Sequence, residues 1–364
     1  MEPIINIEPW IDGEELKQLQ RVTDSTFVSE HNLTTEFECE MKALTSSPEA
    51  VALTNGTAAL FCALKSLGIG PGDEVIVPSL TFIASSNAVL FCGAKVVVCD
   101  IDPNTLCMCP KSVRECITAN TKALMPVHLY GNSCDMPTIL HIAKEYNLKI
   151  IEDAAQGVGV TFNNQHVGTF GDAGVLSFYA NKTMTCGEGG VILSKSPDLI
   201  KRCYQLKNHG RLTKGTFKHE SIGFNFCFTE MQAAIGISQS KKLPTIIKKK
   251  KEIYERYTEL LKDVPLKKIH ISPKVSPVYW YSSFLTSQRE DLVKYLNERN
   301  IPTREFFYPI HLQPCYNKHN KVITYSKLAH SEKAFSQGIS LPSSIFLSAV
   351  QQDYICKHII NFFK

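Results

Sequence analysis

Three short segments carry side chains that could together hold a phosphorylated cofactor. Thr57 follows an Asn-Gly turn at the start of a small-residue helix, Asp153 ends the apolar segment KIIED, and Lys182 lies in SFYANKTMTCGEGG. Free N–H groups at a helix amino end bind phosphate, and a buried carboxylate needs a cationic partner. A lysine with a lowered pKa can form a Schiff base with an aldehyde. Together these features describe a pyridoxal phosphate site.

Each segment alone also fits an ordinary structural role. The turn before Thr57 can be a plain helix cap, and Asp153 can cap the helix that follows it. Lys182 differs from most surface lysines because glycines follow it at 187, 189 and 190 and leave room for close backbone approach. The coincidence of the three segments therefore favours the cofactor site.

The elements that must position these residues have the pattern of an α/β fold. Apolar runs alternate with helical patterns between residues 54 and 193, and the runs are EVIVP, AKVVVCD, KALMPVHLY, LKIIED, AGVLSF and GGVILS. Residues 57–67, 81–92 and 136–146 have helical periodicity. This alternation predicts a mainly parallel sheet covered by helices on both faces. Ligands of such sheets collect at the carboxyl ends of the strands, where Asp153 and Ser177 are expected.

The second half of the chain predicts a smaller domain. A helical pattern begins after Glu230, is broken at Pro244 and resumes up to about residue 260. The lysine run 248–251 fits the solvated face of this connecting helix. We therefore predict a large cofactor-binding domain over residues 1–243, and a connecting helix with a small C-terminal α/β domain over residues 244–364.

Composition excludes several other classes of protein. The 364 residues are 44% hydrophobic and carry a formal net charge of +4, which is too small and too scattered for a nucleic-acid surface. No secretory pattern and no membrane-length apolar run occurs, so we expect a cytoplasmic protein without membrane contact. Thirteen cysteines are scattered, and Cys107 and Cys109 lack a second pair. This pattern predicts buried thiols and no metal site.

Seven motifs occur in order along the chain: TNGTAAL, GDEVIVPSLTFIAS, IIEDAAQGVGV, SFYANKTMTCGEGG, NHGR, GFNFCFTEMQAAIG and FYPIHLQP. Through these motifs the chain resembles the sugar-nucleotide aminotransferases of the DegT/StrS group, which are fold-type I pyridoxal phosphate enzymes. The resemblance extends from about Ile5 to the carboxyl end. The resemblance implies a three-layer large domain, a smaller C-terminal domain and a homodimer with shared active sites.

The resemblance also implies roles for individual residues of the cofactor site. Lys182 would bond to the cofactor's aldehyde carbon, Asp153 would pair with the pyridinium nitrogen, and Gln156 would contact the phenolic oxygen. Phe82 would stack on the ring face, and Asn225 would reach the phosphate in the partner subunit. The residues expected at the phosphate of the same subunit are Gly56, Thr57 and Ser177.

For the substrate, the resemblance is less specific. Arg304, Tyr308 and His311 in TREFFYPIHLQP are candidates for contact with the nucleotide sugar, although a structural role fits them equally well. The family usually has arginine at the position of Cys227, after the GFNF motif, and this difference puts local packing or a substrate contact in question.

The segment around Lys182, ANKTMTCGEGG, is most similar to enzymes that aminate C4 of a 4-keto-6-deoxyhexose nucleotide, as in perosamine or viosamine synthesis. A dehydratase branch has histidine at this position, so the lysine favours transamination with L-glutamate as donor. The alternatives are amination of a 3-keto sugar nucleotide and a non-catalytic regulatory protein with the same fold. A nicotinamide enzyme is disfavoured because the glycines of GIGPG precede a strand instead of following one.

Overall fold

The structure, a computed structural model, describes residues 2–213, 215–318, 322–324 and 327–364. Its α-helices are α1 (Glu14–Ser25), α2 (Asn32–Thr45), α3 (Gly56–Ser66), α4 (Ala84–Phe91), α5 (Pro110–Cys116), α6 (Met136–Glu145), α7 (Pro197–Lys207), α8 (Glu230–Leu260), α9 (Arg289–Asn297), α10 (Pro314–Asn317), α11 (Ala329–Gln337) and α12 (Ala349–Phe363). Short 3₁₀ helices lie at Leu129–Gly131 and Ile310–Leu312. None of the helices so described combines the length and the apolar composition of a membrane span.

The strands are β1 (Glu49–Leu53), β2 (Glu74–Pro78), β3 (Lys95–Cys99), β4 (Thr121–Leu124), β5 (Lys149–Asp153), β6 (Thr161–Phe162), β7 (Gln165–His166), β8 (Ala173–Ser177), β9 (Gly190–Ser194), β10 (Lys267–Lys268), β11 (Val275–Ser276), β12 (Ser282–Leu285), β13 (Arg304–Glu305), β14 (Val322–Thr324) and β15 (Gly338–Leu341). Eight of them form one sheet in the order β1-β9-β8-β5-β4-β2-β3-β14. Neighbours from β8 to β14 are parallel, and β9 is antiparallel to both β1 and β8. The prediction of an α/β fold with a mainly parallel sheet is confirmed.

The apolar runs of the sheet are explained by burial on both faces. Val75 and Val77 of β2 pack on one face in a core that includes residues of α3 and α4, whereas Ile76 packs on the other face with residues of α6. Successive strand residues point to opposite faces, so a strand covered on both sides has no polar position to alternate with. Of the predicted runs, KALMPVHLY is strand only at its start, over Thr121–Leu124.

Helix α8 corrects the prediction of a break at Pro244. A capping box at Thr229 starts the helix, which then continues through Pro244 to Leu260. Proline removes one backbone hydrogen bond in a helix interior, but its neighbours Leu243 and Ile246 are almost fully buried. Packing on both sides of the proline, against α1 and α2 in its first part and α12 in its second, keeps the helix continuous.

The lysine run of α8 is only partly the solvated face that the sequence predicted. Lys248 and Lys251 are exposed, but Lys250 is 4% exposed. Its amine donates hydrogen bonds to the carbonyl oxygens of Trp280 (3.0 Å) and Ser343 (3.2 Å). This lysine therefore ties α8 to the C-terminal part of the chain.

The C-terminal part has its own antiparallel sheet, in the order β10-β12-β15-β13. Its core joins side chains of α9 and α12 to Tyr257 of α8. Strand β14, in contrast, lies in the large sheet and pairs with β3. The domain boundary at residue 244 stays a prediction, and the helix that crosses it is unbroken.

Candidate active site

An open cavity of about 820 Å³ lies at the carboxyl ends of β5 and β8 and the amino end of α3. Its lining brings together eight of the residues that the sequence predicted for the site: Gly56, Thr57, Phe82, Asp153, Gln156, Ser177, Lys182 and Arg304. Of the other three predicted residues, Asn225 and Tyr308 are exposed and His311 is half-buried, and none of them lines this cavity.

Asp153 is fixed at the cavity wall by two donors. It is the last residue of β5 and is 5% exposed. The hydroxyl of Ser85 donates to one carboxylate oxygen at 2.6 Å, and the backbone N–H of Ala155 donates to the other at 3.1 Å. Hydrogen bonds to a charged acceptor are the strong ones, so this carboxylate has a defined orientation.

The amide of Gln156 has a fixed orientation too. Its side-chain oxygen accepts a hydrogen bond from the backbone N–H of Tyr130 at 2.7 Å. Because a backbone N–H can only donate, the bonded atom must be the amide oxygen. The NH₂ group is therefore the end that Gln156 can offer to an anionic oxygen in the cavity.

The amino end of α3 lies against the end of β8. The Asn55 side chain caps the helix by accepting from the N–H of Ala58 at 2.9 Å, and the first-turn N–H groups of Gly56 and Thr57 have no acceptor within the helix. A β-carbon on Gly56 would lie 3.1 Å from the Cβ and 3.2 Å from the Oγ of Ser177. Glycine at this position therefore lets the helix backbone approach the serine hydroxyl closely, so that both can face the same anion.

Lys182 follows β8 in a turn where its N–H donates to the carbonyl oxygen of Tyr179 at 2.9 Å. Its amine lies 4.4 Å from the centroid of the Trp280 ring. Burial lowers the pKa of this amine to about 8; the negative charge of Asp153 raises it and the positive charge of Arg304 lowers it further. An amine of this kind is partly unprotonated near neutral pH, as nucleophilic lysines must be.

Arg304 supplies a second cation to the same cavity. Its guanidinium donates to the hydroxyl of Tyr281 at 3.2 Å. Its central carbon lies 5.7 Å from the ring centroid of Trp280 and 5.9 Å from that of Phe307. Contact with aromatic faces orients the planar guanidinium, so the cavity presents a positioned cation to an anionic ligand.

Two predicted substrate residues are engaged elsewhere. The ring nitrogens of His311 lie 2.6 Å from the hydroxyl of Ser79 and 3.1 Å from a carboxylate oxygen of Glu332. Tyr308 is 42% exposed and packs its ring edge-on against Phe335. These contacts give both side chains a structural role that requires no ligand.

Cys227 occupies the position where the resemblance predicts arginine. Its thiol donates to the carbonyl oxygen of Lys207 at 3.6 Å, and its backbone pairs with Leu53 at the end of β1. Neither Lys207 nor Leu53 lines the cavity. The difference from the family therefore affects contacts beside β1.

Sequence reasoning missed two residues that contact the predicted site. Ser85 lies in the quoted motif GDEVIVPSLTFIAS, and its place in the first turn of α4 after Phe82 was a usable signal. Trp280 is almost 100 residues from Lys182 in the chain, in the unremarked segment SPVYWYSS. Only the fold brings it to the amine.

Comparison with known proteins identifies the family of this chain. A model of the DegT/DnrJ/EryC1/StrS aminotransferase family matches residues 9–360. GDP-perosamine synthase of Escherichia coli O157:H7 is 38% identical over 361 residues, which are 98% of this chain and 97% of that protein.

The crystal structure of DesV from S. venezuelae is similar with a TM-score of 0.92 at 31% identity, covering 99% of both chains. NtdA of Bacillus subtilis, solved with the bound cofactor PMP, has a TM-score of 0.90 at 30% identity, covering 100% of this chain and 86% of NtdA. The resemblance inferred from the motifs is confirmed, and this chain belongs to the DegT/DnrJ/EryC1/StrS aminotransferase family.

Proposed function

We propose that this enzyme transfers an amino group from L-glutamate to the C4 keto carbon of a 4-keto-6-deoxyhexose nucleotide, with pyridoxal phosphate as cofactor. The products would be 2-oxoglutarate and a 4-amino-4,6-dideoxyhexose nucleotide. The observation that carries the proposal is the convergence of Lys182, Asp153 and the amino end of α3 on one cavity. The similarity to a GDP-perosamine synthase and to a structure with bound PMP supports it.

The residues present fit this cofactor at each of its functional groups. Because Gly56 has no β-carbon, the first-turn N–H groups of α3 approach the Ser177 hydroxyl closely, and the two would bind one phosphate together. The fixed carboxylate of Asp153 suits a protonated ring nitrogen, and the NH₂ of Gln156 suits the phenolic oxygen. Phe82 is 53% exposed and lines the same cavity, so its ring is accessible for stacking.

Pyridoxal phosphate, when bound, supplies an electron sink that stabilises negative charge on the carbon next to the amino group. Asp153 would hold the positive charge of the ring nitrogen, and Ser85 would keep its carboxylate in place. Lys182 would carry protons: with a pKa of about 8, its amine can take a proton from the α-carbon of glutamate and return one to the C4 carbon of the sugar.

Arg304 is the best placed of the three candidate substrate residues. It lines the cavity beside Lys182 and would attract an anionic group, either a substrate phosphate or a donor carboxylate. Tyr308 and His311 stay predictions for the nucleotide part of the substrate, because their observed contacts lie outside the cavity lining.

We further propose a homodimer in which Asn225 reaches the phosphate bound by the partner subunit. Asn225 is exposed and lies in a segment with strongly exposed apolar side chains, Phe217 (92%) and Ile222 (91%). Exposed apolar groups of this size mark interaction surfaces when they cluster, and burial against a second copy would account for them.

Mixing two inactive variants tests the shared site. Lys182→Ala and Asn225→Ala homodimers should each have little activity. After unfolding and refolding together, half of the dimers are hybrids with one unmutated site, which restores about a quarter of the normal activity. No recovery in a mixture that native mass spectrometry shows to contain hybrid dimers would contradict the shared site.

The reaction is tested by offering the purified enzyme L-glutamate with 4-keto-6-deoxy and 3-keto sugar nucleotides carrying GDP, UDP or dTDP. We expect 2-oxoglutarate only with a 4-keto substrate, loss of the product in Lys182→Ala, and normal activity in the matched variant Lys248→Ala at an exposed lysine. Product only from 3-keto sugars would refute the proposed position of amination. A protein that retains no pyridoxal phosphate after the excess is dialysed away and that forms no product would favour the non-catalytic alternative.

A further inference from the structure

Trp280 contacts the reactive end of the lysine. Its indole ring is 2% exposed, and its centroid lies 4.4 Å from the Lys182 amine. A cation within about 6 Å of an aromatic face is attracted by the ring, and tryptophan gives the strongest attraction. The contact therefore acts on the group that the proposed reaction depends on.

The same side chain also binds the backbone next to that lysine. The indole N–H of Trp280 donates to the carbonyl oxygen of Asn181 at 2.6 Å. Asn181 is the residue directly before Lys182, in the turn closed by the hydrogen bond from Lys182 to Tyr179. One indole thus contacts the lysine at its backbone side and at its amine.

Trp280 is in turn held by the C-terminal half of the chain. Its carbonyl oxygen accepts a hydrogen bond from the buried amine of Lys250 at 3.0 Å. Its ring packs edge-on against Tyr281 at a centroid distance of 4.8 Å, and the Tyr281 hydroxyl accepts from Arg304. The indole is therefore a fixed support, because its backbone and its neighbour are both anchored.

From these contacts, and on the basis of the function proposed above, we infer that Trp280 is a positioning residue that fixes the turn of Lys182 and stabilises the ammonium form of its amine. Three other influences act on this amine: burial, the carboxylate of Asp153 and the guanidinium of Arg304. Burial and Arg304 favour the neutral amine, whereas Asp153 and the aromatic face favour the cation. Trp280 would thereby keep the amine able to both hold and release a proton.

Two substitutions separate the two contacts of the indole. Trp280→Phe keeps an aromatic face and removes the N–H that binds Asn181. Trp280→Leu removes both and leaves an apolar side chain beside Lys182. The matched control is Trp10→Phe, because Trp10 also lies beside lysine amines, Lys242 at 5.5 Å and Lys249 at 5.4 Å, but not in this cavity.

The first measurement needs no cofactor. Trace acetylation of the apoprotein between pH 6 and pH 10, with the Lys182 peptide quantified by mass spectrometry, gives the apparent pKa of that amine. We expect Trp280→Leu to lower this value by about half a unit to one unit relative to Trp280→Phe, and Trp10→Phe to leave it unchanged. An unchanged pH profile in the leucine variant, even with a lower melting temperature, would limit Trp280 to packing and overturn the inference.

The second measurement is the affinity of the apoprotein for pyridoxal phosphate, followed by the absorption of the lysine-bound cofactor. Loss of the indole hydrogen bond in Trp280→Phe should weaken attachment about fivefold. Attachment as tight as in the unmutated protein would refute the backbone contact, and this arm decides if the leucine variant does not fold. If the unmutated protein takes up no cofactor, the proposed function fails, and the acetylation profile still decides the role of Trp280.

Discussion

Substitution of Gly56 by alanine tests the phosphate site through a contact that the structure measures. The new Cβ would lie 3.1 Å from the Cβ of Ser177, whereas carbon atoms normally pack at about 3.5 to 4.0 Å. Ser177 cannot withdraw easily, because it is 7% exposed and its strand pairs with Gly190 of β9. The Gly190 position is itself tight, since a β-carbon there would lie 2.5 Å from the carbonyl oxygen of Asn55.

We therefore expect the alanine to push the start of α3 away from β8. Overpacking of this kind costs about 1 to 3 kcal/mol, and the same displacement separates the N–H groups of α3 from the Ser177 hydroxyl. Gly56→Ala should lower the free energy of unfolding by about that amount. It should also raise the dissociation constant for pyridoxal phosphate about ten- to a hundredfold.

Denaturant unfolding and titration of the apoprotein with pyridoxal phosphate measure the two effects. The matched control is Gly70→Ala, because a β-carbon on Gly70 would meet no atom of the described residues within 4 Å, and we expect both quantities to stay normal there. Ser177→Gly removes the close contact, so Gly56→Ala should cost less stability in the Ser177→Gly background than in the unmutated protein, whereas affinity should stay low because the hydroxyl is lost. Normal cofactor affinity in Gly56→Ala would refute a phosphate bound jointly by the start of α3 and the Ser177 hydroxyl.

Three further predictions concern the groups around the cavity and helix α8. Ser85→Ala removes the donor that lies 2.6 Å from the buried Asp153 carboxylate. Because hydrogen bonds to charged groups contribute about 1.5 to 3 kcal/mol, cofactor affinity measured by absorbance titration should fall about tenfold or more. Unchanged affinity would contradict the role proposed for Asp153. The rate of covalent attachment of pyridoxal phosphate to the apoprotein should rise about tenfold between pH 7 and pH 9 and then level off. The reason is that only the neutral amine of Lys182 reacts, and its pKa is about 8. A rate that still rises beyond pH 10 would indicate an ordinary lysine. Burial lowers the pKa of Lys250 to about 7, so between this pH and the ordinary value near 10.5 the unfolded chain binds a proton that the folded chain does not. The contribution of Lys250 to the free energy of unfolding should therefore rise by about 1.4 kcal/mol per pH unit in that window. In urea unfolding, Lys250→Met should remove this increase of the free energy of unfolding with pH, whereas Lys248→Met, at an exposed position, should keep it. An identical pH dependence in the two variants would contradict the burial of a neutral amine.

The sequence predicted the parts of the fold that depend on local pattern. Runs such as EVIVP identified buried parallel strands because both faces of the sheet are covered. The continuity of α8 through Pro244 was missed because it depends on packing around Leu243 and Ile246, which outweighs one lost hydrogen bond. The pairing of Val322–Thr324 with β3 was missed for the same reason, since a short distant segment joins the edge of the large sheet.

The sequence predicted some residues of the candidate site and not others, for the same physical reason. Two predicted strands end at Asp153 and Ser177, and Lys182 follows the second of them. Their convergence could be predicted because the carboxyl ends of parallel strands lie at one edge of the sheet. Trp280 and the buried Lys250 could not be predicted. Their positions depend on how the C-terminal segment packs on the large sheet, and nothing in their local sequence distinguishes them from core or surface residues.

Borohydride reduction of the protein loaded with pyridoxal phosphate, followed by peptide mass spectrometry, tests the central claim most directly. The account predicts one dominant phosphopyridoxyl modification at Lys182, with loss of the absorption band of the bound cofactor and no such modification in Lys182→Ala. Labelling spread over exposed lysines such as Lys248, with Lys182 unmodified, would contradict it.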